Sequence, residues 1–200
     1  MLILTESVRV EFMVKNSRFL AEAVPVDTPE AAREFWRQQK ERYADANHVV
    51  YAFITGPQGN VMGCSDDGEP SGTSGRPMLA VLKGCGLTNV IITGTRWFGG
   101  TKLGTGGLVR AYSDCARVVL ENAPTKELIP MRSLEAHCSY ADYEKVKHRL
   151  GQLNFRITSE EFTDQTLIRG EIPEQDAESL IADIRELTAD RCRINFQNKS

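Results

Sequence analysis

Apolar and polar positions alternate in VRVEFMV (8–14), and RFLAEAVPV (18–26) is again strand-like, so the chain opens on two strands joined by a turn at 14–18. Asp27 or Thr28 then caps a helix that starts at Pro29, a favoured first-turn residue. Its Ala32, Phe35, Trp36, Gln39 and Tyr43 fall at helical spacing. HVVYAFIT (48–55) and VMGCS (61–65) read as strands around the turn GPQGN, and a short helix is expected from Pro77, with Met78, Leu79, Val81 and Leu82 inward. NVIITGTRWF (89–98) is β-branched without alternation, the pattern of a strand buried on both faces. Leu108, Tyr112, Cys115, Ala116 and Val119 mark a further helix ending near Asn122.

ENAPTKELIP (121–130), with prolines at both ends of a mixed-charge run, reads as a linker between domains 1–124 and 131–200. Beyond it come a strand (133–140), a helix (141–153), a hairpin (154–172) turning near Thr163 and Asp164, a helix (173–189) and a last strand, RCRINFQ. That order, βαββαβ, is the ferredoxin-like one. The fold class is α+β in two domains.

Composition narrows the function. Residues 1–124 carry 13 basic and 13 acidic side chains and the rest 11 against 14, for a net charge of −3. Neither half is the basic body of a protein that holds nucleic acid by bulk charge, so any such contact must be a local patch. The five cysteines are scattered with no C-x-x-C pair, which predicts reduced thiols and a cytoplasmic setting rather than a zinc ribbon or disulfide framework. No apolar run approaches a membrane span, and MLILTESVRVEF is not the pattern of a signal peptide.

Two stretches concentrate chemistry. CSDDGEPSGTSGRPML (64–79) places Asp66, Asp67 and Glu69 among Gly68, Gly72, Gly75 and two prolines, with Thr73 and Arg76 beside them. The three acids are hard oxygen ligands of the type Mg²⁺ takes, without EF-hand spacing, and Asp and Gly also serve tight turns. TRWFGGTKLGTGGLVRAY (95–112) has the opposite charge: Arg96, Lys102 and Arg110 stand among Gly99, Gly100, Gly104, Gly106 and Gly107, which lead into a helix. Amides at a helix start bind anions, but the string is neither a P-loop nor a dinucleotide fingerprint. Some of these glycines are expected to serve helix–strand packing instead. Trp97 and Phe98 offer rings for stacking, and as strand neighbours they should point opposite ways. His48 opens a strand near the acidic loop and is an accessory candidate, although a lone histidine is more often structural. No catalytic residue is assigned.

Together these loops resemble the IMPACT/YigZ family, with its D-G-E-P, G-T-[AS]-G-x-P and R-[YW]-[FY]-G-G-x-x-L-G-x-G-G-L-x-[RK]-A-Y patterns. NSRF (16–19), His48 and Ala52 also match; Val50 departs, standing where many members have Cys, which argues against a His–Cys pair at His48. The resemblance implies a first domain with the ribosomal-protein-S-five domain-two-like fold, found also in translation elongation factor G, and a ferredoxin-like second domain. Its eukaryotic members regulate translation through an additional N-terminal domain, for which these 200 residues are expected to have no room. The leading expectation is a non-catalytic binding protein near translation, touching RNA, the ribosome or a translation factor. One alternative is an enzyme on a small phosphorylated substrate with Mg²⁺ on Asp66, Asp67 and Glu69; another is a protein-interaction module. No other cofactor is expected. All of these require residues 66–77 and 96–107 to line one cleft.

Overall fold

The computed structural model describes residues 1–121 and 123–196 and divides into two units, Met1–Leu128 and Ile129–Ser200. The expected helix end near Asn122 and the last residue of RCRINFQ lie outside the described residues.

In the first unit, β2 (Val8–Val14) and β3 (Ser17–Pro25) form a hairpin through a two-residue turn in which Lys15 adopts φ 42°. Then follow α1 (Pro29–Arg42), β4 (His48–Thr55), β5 (Val61–Ser65), α2 (Gly75–Gly84), β6 (Val90–Trp97) and α3 (Gly104–Leu120). The sheet order is β2-β3-β6-β4-β5, with every neighbouring pair antiparallel. β6 is therefore central, as its unbroken apolar run requires, and six of its first seven residues up to Arg96 have no more than trace exposure. α2 and α3 cover one face, packing Met78, Leu82, Leu108 and Tyr112 against Phe19, Val50 and Ile92. α1 covers the other with Ala32, Phe35 and Trp36 against Phe53 and Ile91. Thr28, not Asp27, caps α1: its hydroxyl accepts from the Ala31 amide at 3.1 Å.

Two strands went unread in the sequence. β1 (Leu2–Leu4) pairs antiparallel with β7 (Thr125–Glu127), so part of the supposed linker belongs to a sheet of the first unit. Three residues give no measurable period, and all three β7 side chains are exposed.

The second unit runs β8 (Met131–Cys138), α4 (Tyr140–Gln152), β9 (Arg156–Phe162), β10 (Thr166–Pro173), α5 (Glu174–Thr188) and β11 (Arg193–Phe196). Its sheet order, β11-β8-β10-β9, all antiparallel, is the ferredoxin-like arrangement. Leu134, Ala136, Ile168 and Ile172 on alternate strand positions meet Val146, Leu150, Leu180 and Ile184 from the helices. The fold is thus α+β in both units, as expected. No helix among the described residues is long and apolar enough to cross a membrane.

Candidate functional site

Topology explains why the two loops meet. β4 lies between β5 and β6 and is antiparallel to both, so β5 and β6 run the same way and deliver their following loops to one end of the sheet. His48, the first residue of β4, lies at that same end opposite Arg96. Arg96 Nη1 donates to Glu69 Oε1 at 2.8 Å, and the two side chains are 7% and 3% exposed. The Tyr112 hydroxyl donates to the same carboxylate oxygen, also at 2.8 Å. Burial, then the Glu69 charge, raises the Tyr112 phenol far above its ordinary range, so it is a permanent donor.

The acidic loop is built inward. The Asp66 carboxylate accepts from the Gly72 amide (2.7 Å), the Ser74 amide (3.1 Å) and hydroxyl (2.6 Å), and the Gly75 amide (2.8 Å). Burial alone would raise its pKa; the Ser74 hydroxyl and the three amides outweigh that and hold it below the usual carboxylate range. Asp66 is thereby the missing cap of α2, and this starts the helix at Gly75 rather than at Pro77. Asp67, at φ 42°, accepts from Lys40 Nζ at 2.6 Å and from the Val49 amide at 2.7 Å. Its carbonyl faces His48 Nδ1 at 2.8 Å, leaving His48 Nε2 3.9 Å from Glu69 Oε2. Thr73 closes a turn onto the Pro70 carbonyl. The three carboxylates therefore face different donors and do not converge, so they do not fit a Mg²⁺ site. No cluster of three His, Cys, Asp or Glu side chains suited to a metal occurs among the described residues.

The glycines divide by role. Gly99 packs so closely that a Cβ would lie 1.7 Å from the Asn16 carbonyl oxygen, and one on Gly75 would meet the Ser65 backbone at 2.8 Å. Gly107 abuts Leu103, and a Cβ on Gly68 would touch the His48 ring. Gly100 and Gly104, at φ 87° and 73°, need the left-handed region, whereas Gly106 has open space beside it.

Between the loops lies a cleft of about 410 Å³ lined by Glu69, Arg96, Phe98, Lys102, Gly104 and Thr105, with Asn47, His48, Pro70, Leu103 and Leu108 completing it. Its wall is the start of α3, where no side chain caps the helix and the first amides have no acceptor one turn back. Lys102 is exposed and pairs with no carboxylate among the described residues. Phe98 is 45% exposed, whereas its neighbour Trp97 is half-buried under Arg18 and donates to Asp45 at 2.8 Å. Of the candidate residues, Glu69, Arg96, Lys102, Gly104 and His48 come together here. Arg76 and Arg110 are exposed on α2 and α3 away from the lining, and Asp66, Asp67, Gly72, Thr73 and Gly75 shape the loop behind it. Arg96 is correspondingly not a free phosphate contact, because its charge is spent on Glu69. Sequence reasoning missed Tyr112 as a site residue, counting it only as core; a buried tyrosine needs a partner for its hydroxyl, and that was the available signal.

The Impact N-terminal domain family matches residues 15–120, and a domain of unknown function, DUF1949, matches 137–191. The IMPACT family member YigZ of Escherichia coli (strain K12) is 34% identical over 162 residues, covering 80% of this chain and 79% of its own. YvyE of Bacillus subtilis (strain 168) is 32% identical over 178 residues, 89% and 82% of the two chains. A solved structure described as "Crystal structure of an hypothetical protein" aligns over 100% of this chain and 98% of its own, at 30% identity and a TM-score of 0.78. The family match contains both loops that build the cleft, and so this chain belongs to the IMPACT family.

Proposed function

We propose that the protein is a cytoplasmic, non-catalytic binding protein that acts near translation and engages RNA, the ribosome or a translation factor through the cleft at the start of α3. One observation carries this reading: the cleft has unspent positive character, while the nearby carboxylates are spent. Lys102 and the uncapped α3 amides have no anionic partner, and Phe98 presents a half-exposed ring beside them. Amides at a helix start with an adjacent lysine suit a phosphate, and a neighbouring ring suits a base. The translation setting comes from the family resemblance. The enzyme alternative loses its support at the acidic loop, where Asp66 and Asp67 hold amides and Lys40 rather than facing the cleft.

The test is fluorescence anisotropy with a short single-stranded RNA over a salt series, alongside ribosome co-sedimentation. Binding should weaken with salt, and Lys102→Ala should flatten the slope of log affinity against log salt by about one. Binding that ignores both Lys102→Ala and Phe98→Ala, or no binding at low salt in either assay, would remove this function from the cleft.

A further inference from the structure

The second unit holds two cysteines that the cleft does not use. Cys138 ends β8, and Cys192 lies between α5 and β11; they are 1% and 2% exposed and share one core. Arg193 pairs with His137 and Ile194 with Ala136, so continuing that register sets Cys192 opposite Cys138. Directly opposed antiparallel residues have Cα atoms about 4.5–5.5 Å apart, within the range a disulfide spans. Ile194 and Ala136 both face the helices, and by the two-residue period Cys192 and Cys138 do too. The neighbouring Cys192 thiol lowers the Cys138 thiol, whereas Cys138 and burial together drive Cys192 upward. The Thr166 hydroxyl lies 3.0 Å from the Cys138 sulfur.

Access comes from the other side. Cys192 lines a surface cavity of about 250 Å³ together with Arg185, Asp190, Arg193, Ile194 and Asn195. Neither arginine pairs with a carboxylate among the described residues, so the cavity suits a small anionic reagent.

We propose that Cys138 and Cys192 are a site of reversible oxidation, at which an anionic low-molecular-weight disulfide of the glutathione type converts the pair to an intramolecular disulfide joining β8 to the α5–β11 junction. The Cys138 thiolate takes the proton of Cys192 as the Cys192 sulfur attacks one reagent sulfur; that S–S bond breaks, and the departing reagent thiolate takes the proton back from Cys138 and leaves as a thiol. The Cys138 thiolate then displaces the second reagent thiol from Cys192. The Cys192 S–H bond and one reagent S–S bond are lost, one protein S–S bond forms, and the reagent departs as one thiol and one thiolate, which takes a proton from water. The protein loses two electrons and the reagent gains them.

The experiment incubates the folded full-length chain with glutathione disulfide, blocks residual thiols with N-ethylmaleimide and maps the peptides by mass spectrometry. A Cys138–Cys192 crosslink reversed by dithiothreitol is expected, with a melting temperature several degrees above that of the reduced protein. Cys138→Ser should stop the reaction with glutathione on Cys192, and Cys192→Ser should leave Cys138 unlinked; circular dichroism checks that both variants fold. Cys64 and Cys85, which are more exposed, are the internal controls. The proposal is overturned if glutathione collects on those two while Cys138 and Cys192 stay reduced, or if the crosslink forms only in denaturant.

Discussion

The cleft of the first unit and the outward sheet face of the second both carry arginine and glutamate, yet they differ in what those charges do. On the outward face, Arg169 reaches Glu135 at 3.7 Å and also pairs with Glu161, Arg156 meets Glu171 at 2.5 Å, and His137 lies 3.3 Å from Glu135. Arg156, Arg169 and His137 are thus each met by a carboxylate on that face. At the cleft, one cation is locked into a buried pair and another, Lys102, is left with a helix start that has no cap. Net charge is uninformative here. What separates a recognition surface from a solvated one is which charges remain unpartnered after folding.

The largest effect follows from the buried pair. Arg96→Ala strands the Glu69 carboxylate, which is 3% exposed, and should destabilise the first unit by about 3–5 kcal/mol in urea unfolding. A loss below about 1 kcal/mol would mean that the pair behaves like the outward-face bridges, and the contrast between the regions would collapse. Because of this loss, Arg96→Ala is a poor probe of binding.

Phe98 sharpens the contrast from the ligand side. Phe98→Ala should weaken single-stranded RNA binding by about 1–3 kcal/mol, the usual worth of one stacked base. With 45% of its surface exposed, the ring should leave the unfolding midpoint nearly unchanged. Equal losses of binding and stability would make Phe98 a packing residue.

Local periodicity made most of the fold legible. Val8–Val14, His48–Thr55 and Val61–Ser65 coincide with the segments their patterns define, and all five apolar positions assigned to the α3 stripe are buried. What stayed hidden depends on distant partners. β1 and β7 pair across more than a hundred residues with three positions each. The start of α2 is set by Asp66, six to nine residues upstream of the amides it accepts from. At the site, composition identified two loops of opposite charge, but it could not say that Glu69 is the carboxylate that takes Arg96, or that Tyr112 completes the group.

Asp66 supplies a smaller effect with a defined sign. Its folded pKa is depressed, so its contribution is present above the ordinary carboxylate value of about 3.9 and is lost as pH falls through the lower folded value. Asp142 in the second unit has the same sign: the Arg191 guanidinium and the Ser139 hydroxyl hold it at about 2. Both units should therefore weaken on acidification below about pH 4. Asp66→Ala should cost the first unit about 0.5–2 kcal/mol at neutral pH, as expected for a lost helix cap, and should reduce the acid sensitivity of that unit alone. If the pH profile of the variant matches wild type, Asp66 is not the cap.

The smallest effect is the most direct check on the comparison. Arg169 has two carboxylate partners, Glu135 and Glu161, and is about a third exposed. Water screens such bridges and the long side chains lose freedom in forming them, so a double-mutant cycle of Arg169→Ala with Glu161→Ala should give a coupling of about 0–1 kcal/mol. RNA binding should not change, because removing Arg169 takes away a cation that its neighbours already neutralise. Should Arg169→Ala instead lower the salt slope as Lys102→Ala does, paired charges on the outward face would also be meeting phosphate, and pairing would not be what distinguishes the two surfaces.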